Sequence, residues 1–156
     1  MVNIAPTILV YGYGNPGRMD DGLGIRLAEM IEKYCKEKGL DIVEIDTNYQ
    51  LNIEDAYALK DKQMVIFADA SMEMIEDYTF KPIEPSSRTE FTMHSVSPAF
   101  ILHLCDEIYH HQPKAYLLQI KGYEWELKET LTEKGNKNLE KAFRFLSSFL
   151  EDDITN

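Results

Sequence analysis

Asp20, Asp21, Asp46, Asp69 and His94 are the side chains of this sequence best suited to chemistry. Carboxylates gathered with an imidazole hold divalent cations and move protons. Asp20 and Asp21 stand side by side behind a glycine-rich turn, Gly12-Tyr13-Gly14-Asn15-Pro16-Gly17. A turn of that kind ahead of a helix offers an anion free backbone N–H groups and the positive end of the helix dipole. Here the chain supplies the anion itself, so the place suits a cation better than a nucleotide. Plainer uses compete for each residue. One aspartate can cap the helix, but a second charge beside it costs repulsion. Asp46 and Asp69 can bond loop N–H groups, and a lone histidine is commonly a surface or satisfied core residue.

Gly12, Gly14 and Gly17 also match the dinucleotide pattern G-x-G-x-x-G after a strand, with Asp46 placed where a ribose-binding acid could lie. A bound pyrophosphate would meet Asp20 and Asp21 with little but Arg18 to compensate, and Pro16 removes an N–H from the cradle. No nucleotide is therefore expected. His103, His110 and His111 read as helix-surface residues, and Glu124, Glu126 and Glu129 around Trp125 as a solvated loop. There is no H-E-x-x-H, no evident Ser-His-Asp set and no evident nucleophilic cysteine.

The elements that must position these residues follow from hydrophobic periodicity. Thr7–Tyr11, Ile42–Asp46 and Met64–Ala68 read as strands, the last two ending at Asp46 and Asp69. A helix from Asp21, capped by Asp20 or Asp21, carries Leu23, Leu27, Met30, Ile31 and Tyr34 at the 3.6-residue period and stops at Gly39. A second helix is expected from Asn52 to Lys60, opened by the capping residues Glu54 and Asp55. Tyr78–Pro82 suits an edge strand, because Pro82 cannot donate to a ladder. Ser97 with Pro98 starts a further helix, with Phe100, Ile101, Leu104, Cys105 and Ile108 on its apolar stripe. Ala115–Lys121 is another strand, and Leu131–Leu150 holds a final helix. Strands alternating with helices predict a three-layer α/β/α sandwich around a mostly parallel twisted sheet of about five strands. In such sheets the ligand crevice lies beyond the carboxyl ends of the strands. The acids fall there, and His94, in the loop before Ser97, can reach the same edge.

The 156 residues suit a single domain over 1–156, with the last few residues outside the folded part. A net charge of −11 argues against nucleic acid and against an anionic membrane surface. No apolar run reaches the about 18 residues of a membrane span, and no basic start precedes an apolar stretch as in a secretory signal. Cys35 and Cys105 fall at helical positions, as in a reduced cytoplasmic protein.

Taken in order, these motifs resemble those of the nickel–iron hydrogenase maturation endopeptidases. The resemblance rests on Gly12-Tyr13-Gly14-Asn15 with Asp20-Asp21-Gly22-Leu23-Gly24, on Val65-Ile66-Phe67-Ala68-Asp69-Ala70, and on His94-Ser95-Val96-Ser97-Pro98. Gln119-Ile120-Lys121-Gly122-Tyr123 and Leu131-Thr132 extend it toward Leu150. It implies a phosphorylase/hydrolase-like fold and an enzyme that removes the C-terminal extension of a hydrogenase large-subunit precursor after nickel loading. The metal contacts and catalytic groups it implies are Asp21, Asp69 and His94, with the nickel supplied by the precursor. Asn15, Asp46, Thr47 and Asn48 are the expected substrate contacts, and the expected protein is a monomer. Where many relatives have Asp-Gly-Gly after the second strand, this chain has Asp46-Thr47-Asn48-Tyr49, a departure in the loop expected to face the substrate. A non-catalytic precursor-binding protein and a nucleotide-binding enzyme are the alternatives.

Overall fold

The computed structural model describes residues 6–88 and 96–155. Five strands, β1 (Ile8–Tyr13), β2 (Val43–Asn48), β3 (Met64–Ser71), β4 (Tyr78–Pro82) and β5 (Lys114–Lys121), form one sheet in the order β2-β1-β3-β5-β4. The first three and β5 run parallel. β4 pairs antiparallel with β5 and ends the sheet at Pro82, where a missing N–H costs no ladder bond. Helices α1 (Leu23–Lys38) and α3 (Glu133–Thr155) cover one face. Helix α2 (Pro98–Tyr109) and a 3-10 segment, Ile53–Leu59, cover the other.

Covering both faces explains the unbroken apolar runs. In β3, Met64, Ile66 and Ala68 point toward α1 and α3, while Val65 and Phe67 point toward α2. β1 divides likewise, with Ile8 and Val10 on the first side and Leu9 and Tyr11 on the second. Tyr11 and Phe67 are the largest fully buried side chains, and truncating Phe67 to alanine would cost about 3–5 kcal/mol.

The glycines of the first motif serve this packing. A Cβ on Gly12 would lie 2.3 Å from the Gly24 carbonyl oxygen, and one on Gly24 would lie 2.3 Å from that of Ala68. Only glycine at both positions lets α1 settle so closely on the carboxyl ends of β1 and β3.

Several boundaries differ from the sequence reading. β1 runs on to Tyr13, so Gly12 is inside the strand, and the parallel ladder continues through Gly12↔Thr47 and Tyr13↔Asn48. Asp46 therefore lies within β2, not at its end. β3 passes Asp69 to reach Ser71, because β5 pairs with it over all eight residues. Met19–Gly22 is a 3-10 turn, and α1 starts only at Leu23, behind Gly22 with no side-chain cap. Asp20 and Asp21 cap nothing there, since their oxygens are committed elsewhere. The segment expected as a helix from Asn52 to Lys60 is 3-10 over Ile53–Leu59, and the Asp55 carboxylate does accept the Asn52 N–H at 2.8 Å. α3 starts at Glu133 and continues to Thr155, so the last residues described belong to the fold. His110 closes α2 with a left-handed backbone and His111 lies beyond it, so neither is within the helix. Among the described residues no helix is long and apolar enough to cross a membrane.

Candidate functional site

The parallel strands open at one edge, where the β1–α1 turn, the end of β2 and the end of β3 meet. The turn from Gly14 to Gly22 is stitched to itself. Gly14 has φ +136° and lies under the Asp21 carbonyl, 2.1 Å from where a Cβ would sit, so only glycine fits. The Asn15 side-chain oxygen accepts the Gly17 N–H at 2.9 Å, and the Arg18 N–H reaches the Asn15 carbonyl at 3.0 Å. Asn15 donates its own backbone N–H to the Asp21 carboxylate at 2.8 Å. A donor that a phosphate cradle would leave open is thus closed by the chain's own anion.

Asp21 is partly buried and faces Asp69 from the neighbouring strand end. Burial in the crevice, and then the charge of Asp21, push the Asp69 carboxyl up from 3.8 to about 7. Hydrogen bonds from the Ala70 backbone and the Tyr13 hydroxyl oppose that rise. Burial and the Asp69 charge in turn hold the Tyr13 hydroxyl well above its ordinary value, so it stays a neutral donor. Two carboxylates that cannot both ionise at low cost form a receptor for a proton or a cation.

Asp20 differs from its neighbour in every respect. It is 0% exposed, and its carboxylate accepts four hydrogen bonds from the segment between β5 and α3. The donors are the backbone N–H groups of Tyr123 (2.8 Å), Glu124 (3.4 Å) and Thr132 (2.9 Å) and the Thr132 hydroxyl (2.7 Å). Thr132 Oγ1 accepts the Gly135 N–H at 2.9 Å, which places this buried charge at the electropositive start of α3. Gly122 and Gly135 flank it so tightly that a Cβ on either would come within 2.8 Å of Asp20. Backbone bonds from Met19 N–H to the Lys128 carbonyl (2.8 Å) and Asp20 N–H to the Glu124 carbonyl (3.1 Å) complete the clamp.

The expected substrate contacts lie on the same edge. Asp46, Thr47 and Asn48 are exposed, with Asp46 accepting the Thr47 N–H and Asn48 the Tyr49 N–H. A cleft of about 330 Å³ runs between Asn15, Gly17, Arg26, Tyr49 and Glu129. None of the candidate residues lines the larger groove between β4 and α3. His94 lies outside the described residues, and among those described no three metal-binding side chains converge.

Solved structures share this arrangement of elements. The maturating endopeptidase HybD of Escherichia coli matches with a TM-score of 0.72 at 21% identity, over 94% of this chain and 93% of that one. The NiFe hydrogenase maturation protease HycI of Thermococcus kodakarensis matches with a TM-score of 0.71 at 18% identity, over 92% of each chain. The hydrogenase 2 maturation peptidase of a Thaumarchaeota archaeon matches with a TM-score of 0.67 at 20% identity, over 92% and 97%. This is the hydrogenase maturation protease fold. No protein-family model matches the chain, and no curated protein matches it by sequence.

In this fold Asp21 lies near enough to Asp69 for its charge to raise that carboxyl. Sequence reasoning missed two residues beside them. The clamp role of Asp20 was hidden because its partners lie more than a hundred positions away, though a doubled aspartate was a signal that one acid had other work. Tyr13 had only its place between two glycines to mark it. The glycine pattern that matched a dinucleotide site is used up in contacts of chain against chain.

Proposed function

We propose that the protein is an endopeptidase that removes the C-terminal extension of a nickel-loaded nickel–iron hydrogenase large-subunit precursor. The single observation that carries this reading is the buried Asp69 carboxyl beside Asp21 at the sheet's carboxyl edge, lifted to about 7 by burial first and by the Asp21 charge second. A cation between them relieves that repulsion. Two carboxylates, with His94 as the third ligand implied by the resemblance, make a weak, open set that can share a metal still held by the precursor's thiolates. The nickel is then cargo of the substrate and the means of its recognition.

Gripping the metal places the scissile peptide in the crevice, which supplies proximity and orientation. Whichever of Asp21 and Asp69 the cation leaves free can take a proton from the attacking water. The Tyr13 hydroxyl orients Asp69. Asn15, Asp46, Thr47 and Asn48 border the path of the polypeptide. The reaction belongs in the cytoplasm, where the precursor would be met before assembly.

Incubation with nickel-loaded and nickel-free precursor, followed by intact mass, tests the reading. Loss of the extension from the loaded form alone is the expected result, abolished in Asp21→Asn and in His94→Ala with circular dichroism unchanged. Normal cleavage by both variants would overturn the site.

A further inference from the structure

Large apolar side chains left in water are unevenly placed on this molecule. Of the eight among the described residues, five stand in the loops that leave the carboxyl ends of β2, β3 and β5, and a sixth, Ile53, opens the 3-10 segment that follows β2. They are Tyr49, Ile53, Met72, Met74, Tyr123 and Leu127. Met74 is 99% exposed, Leu127 75%, Met72 71% and Tyr49 70%. These loops are fastened. Lys121 Nζ bonds the Met72 carbonyl at 3.4 Å, and the Asp20 clamp holds the segment that displays Leu127. Fixed apolar side chains surrounding a candidate site mark a contact surface rather than a frayed edge. Methionines adapt their shape to the surface they meet.

The charge of the same loops states what that surface would accept. Residues 14–22, 46–55, 69–77 and 121–132 carry eleven acidic side chains besides the buried Asp20, against the three cations Arg18, Lys121 and Lys128; of the eleven, Asp69 is half-protonated near pH 7 and Asp77 pairs with Lys141 at 3.5 Å. Arg18 bonds the Trp125 carbonyl and Lys121 those of Met72 and Glu73, and the excess of acids over cations makes the field outside negative.

We propose that this rim docks a polypeptide segment in which apolar side chains alternate with lysine or arginine. Met72, Met74 and Leu127 bury the apolar part, and the surrounding carboxylates steer and pair the cations. Only the identity of that polypeptide as the precursor rests on the endopeptidase reading.

Trp125, the sole tryptophan, lies within the rim and reports on it. The test titrates the protein with two synthetic dodecapeptides, one alternating leucine with lysine and one alternating leucine with glutamate, following Trp125 fluorescence. The leucine–lysine peptide should bind saturably, and the leucine–glutamate peptide at least about tenfold more weakly. The combined variant Met72→Ser, Met74→Ser, Leu127→Ser should weaken the first peptide by about tenfold, or 1.4 kcal/mol. Ile108→Ser, an exposed apolar side chain outside the rim, should change nothing. Equal binding of the two peptides, or equal effects of the rim and Ile108 variants, would overturn the proposal. Should the peptides behave as expected while the parent protein leaves the loaded precursor uncut, the rim stands and the endopeptidase reading falls.

Discussion

Asp20→Asn is the sharpest probe of how this site is held. Asparagine has the shape of aspartate, so it fits between Gly122 and Gly135 where nothing larger can. Its chemistry does not fit. Asp20 Oδ1 accepts the Thr132 N–H, and Oδ2 accepts Tyr123 N–H, Glu124 N–H and the Thr132 hydroxyl. The amide turns its oxygen to the Oδ2 side, which keeps three of the four bonds in weaker, uncharged form, and its nitrogen meets the Thr132 N–H, donor against donor. A hydrogen bond to a charged acceptor is worth about 1.5–3 kcal/mol. One such bond lost and three weakened give an expected loss of about 3 kcal/mol. At about 2–4 °C per kcal/mol for a domain of this size, Tm should fall by about 6–12 °C. Asp21→Asn supplies the contrast. Its side-chain oxygen can keep the single Asn15 bond, and the change removes the repulsion with Asp69. It should leave Tm unchanged or raised while ending cleavage. Scanning calorimetry of the two variants beside the parent decides the matter. If Asp20→Asn melts within about 2 °C of the parent, the buried carboxylate does not clamp the loop as argued.

The raised pKa of Asp69 makes stability depend on pH with a definite sign. The folded chain holds this proton more tightly than the unfolded one, so the stabilisation is complete below 3.8 and is lost as pH rises through about 7. Asp69→Asn should match the parent near pH 4 in urea denaturation and exceed it by about 2 kcal/mol at pH 8, after allowance for partial solvent access. An equal gain at both pH values would refute the assignment. Tyr13→Phe removes a bond to the ionised form, so a carboxyl-carbon NMR titration should find Asp69 shifted further upward; a downward shift would contradict the geometry. Gly24→Ala forces a methyl to within 2.3 Å of the Ala68 carbonyl and 2.8 Å of that of Tyr13. It should cost about 1–3 kcal/mol by chemical denaturation, and a neutral result would mean α1 rides higher on the sheet.

The layers of this fold were readable because burial on both faces writes itself into sequence. β3 could only be a central strand, and Pro82 could only sit at an edge. The start of α2 was equally legible, since Ser97 accepts the Phe100 N–H at 3.1 Å with Pro98 in the first turn. Strand ends were less so, because β2 and β3 run past Asp46 and Asp69 for as long as their neighbours supply partners. Local pattern could not separate Asp20 from Asp21. Adjacent and chemically identical, they are told apart by a threonine 112 positions later. The meeting of Asp21 with Asp69 followed from topology, whereas the orienting hydroxyl of Tyr13 depended on side-chain direction at the end of β1. His94 lies outside the described residues, and its part remains with the resemblance.

The clamp also orders events in time. During synthesis the glycine turn and both its acids emerge early, but the donors that fix Asp20 emerge only with the last quarter of the chain. A nascent or truncated polypeptide therefore carries the candidate-site residues without their scaffold. The glycine turn is fixed only when the first turn of α3 closes over the aspartate, after most of the chain has been made.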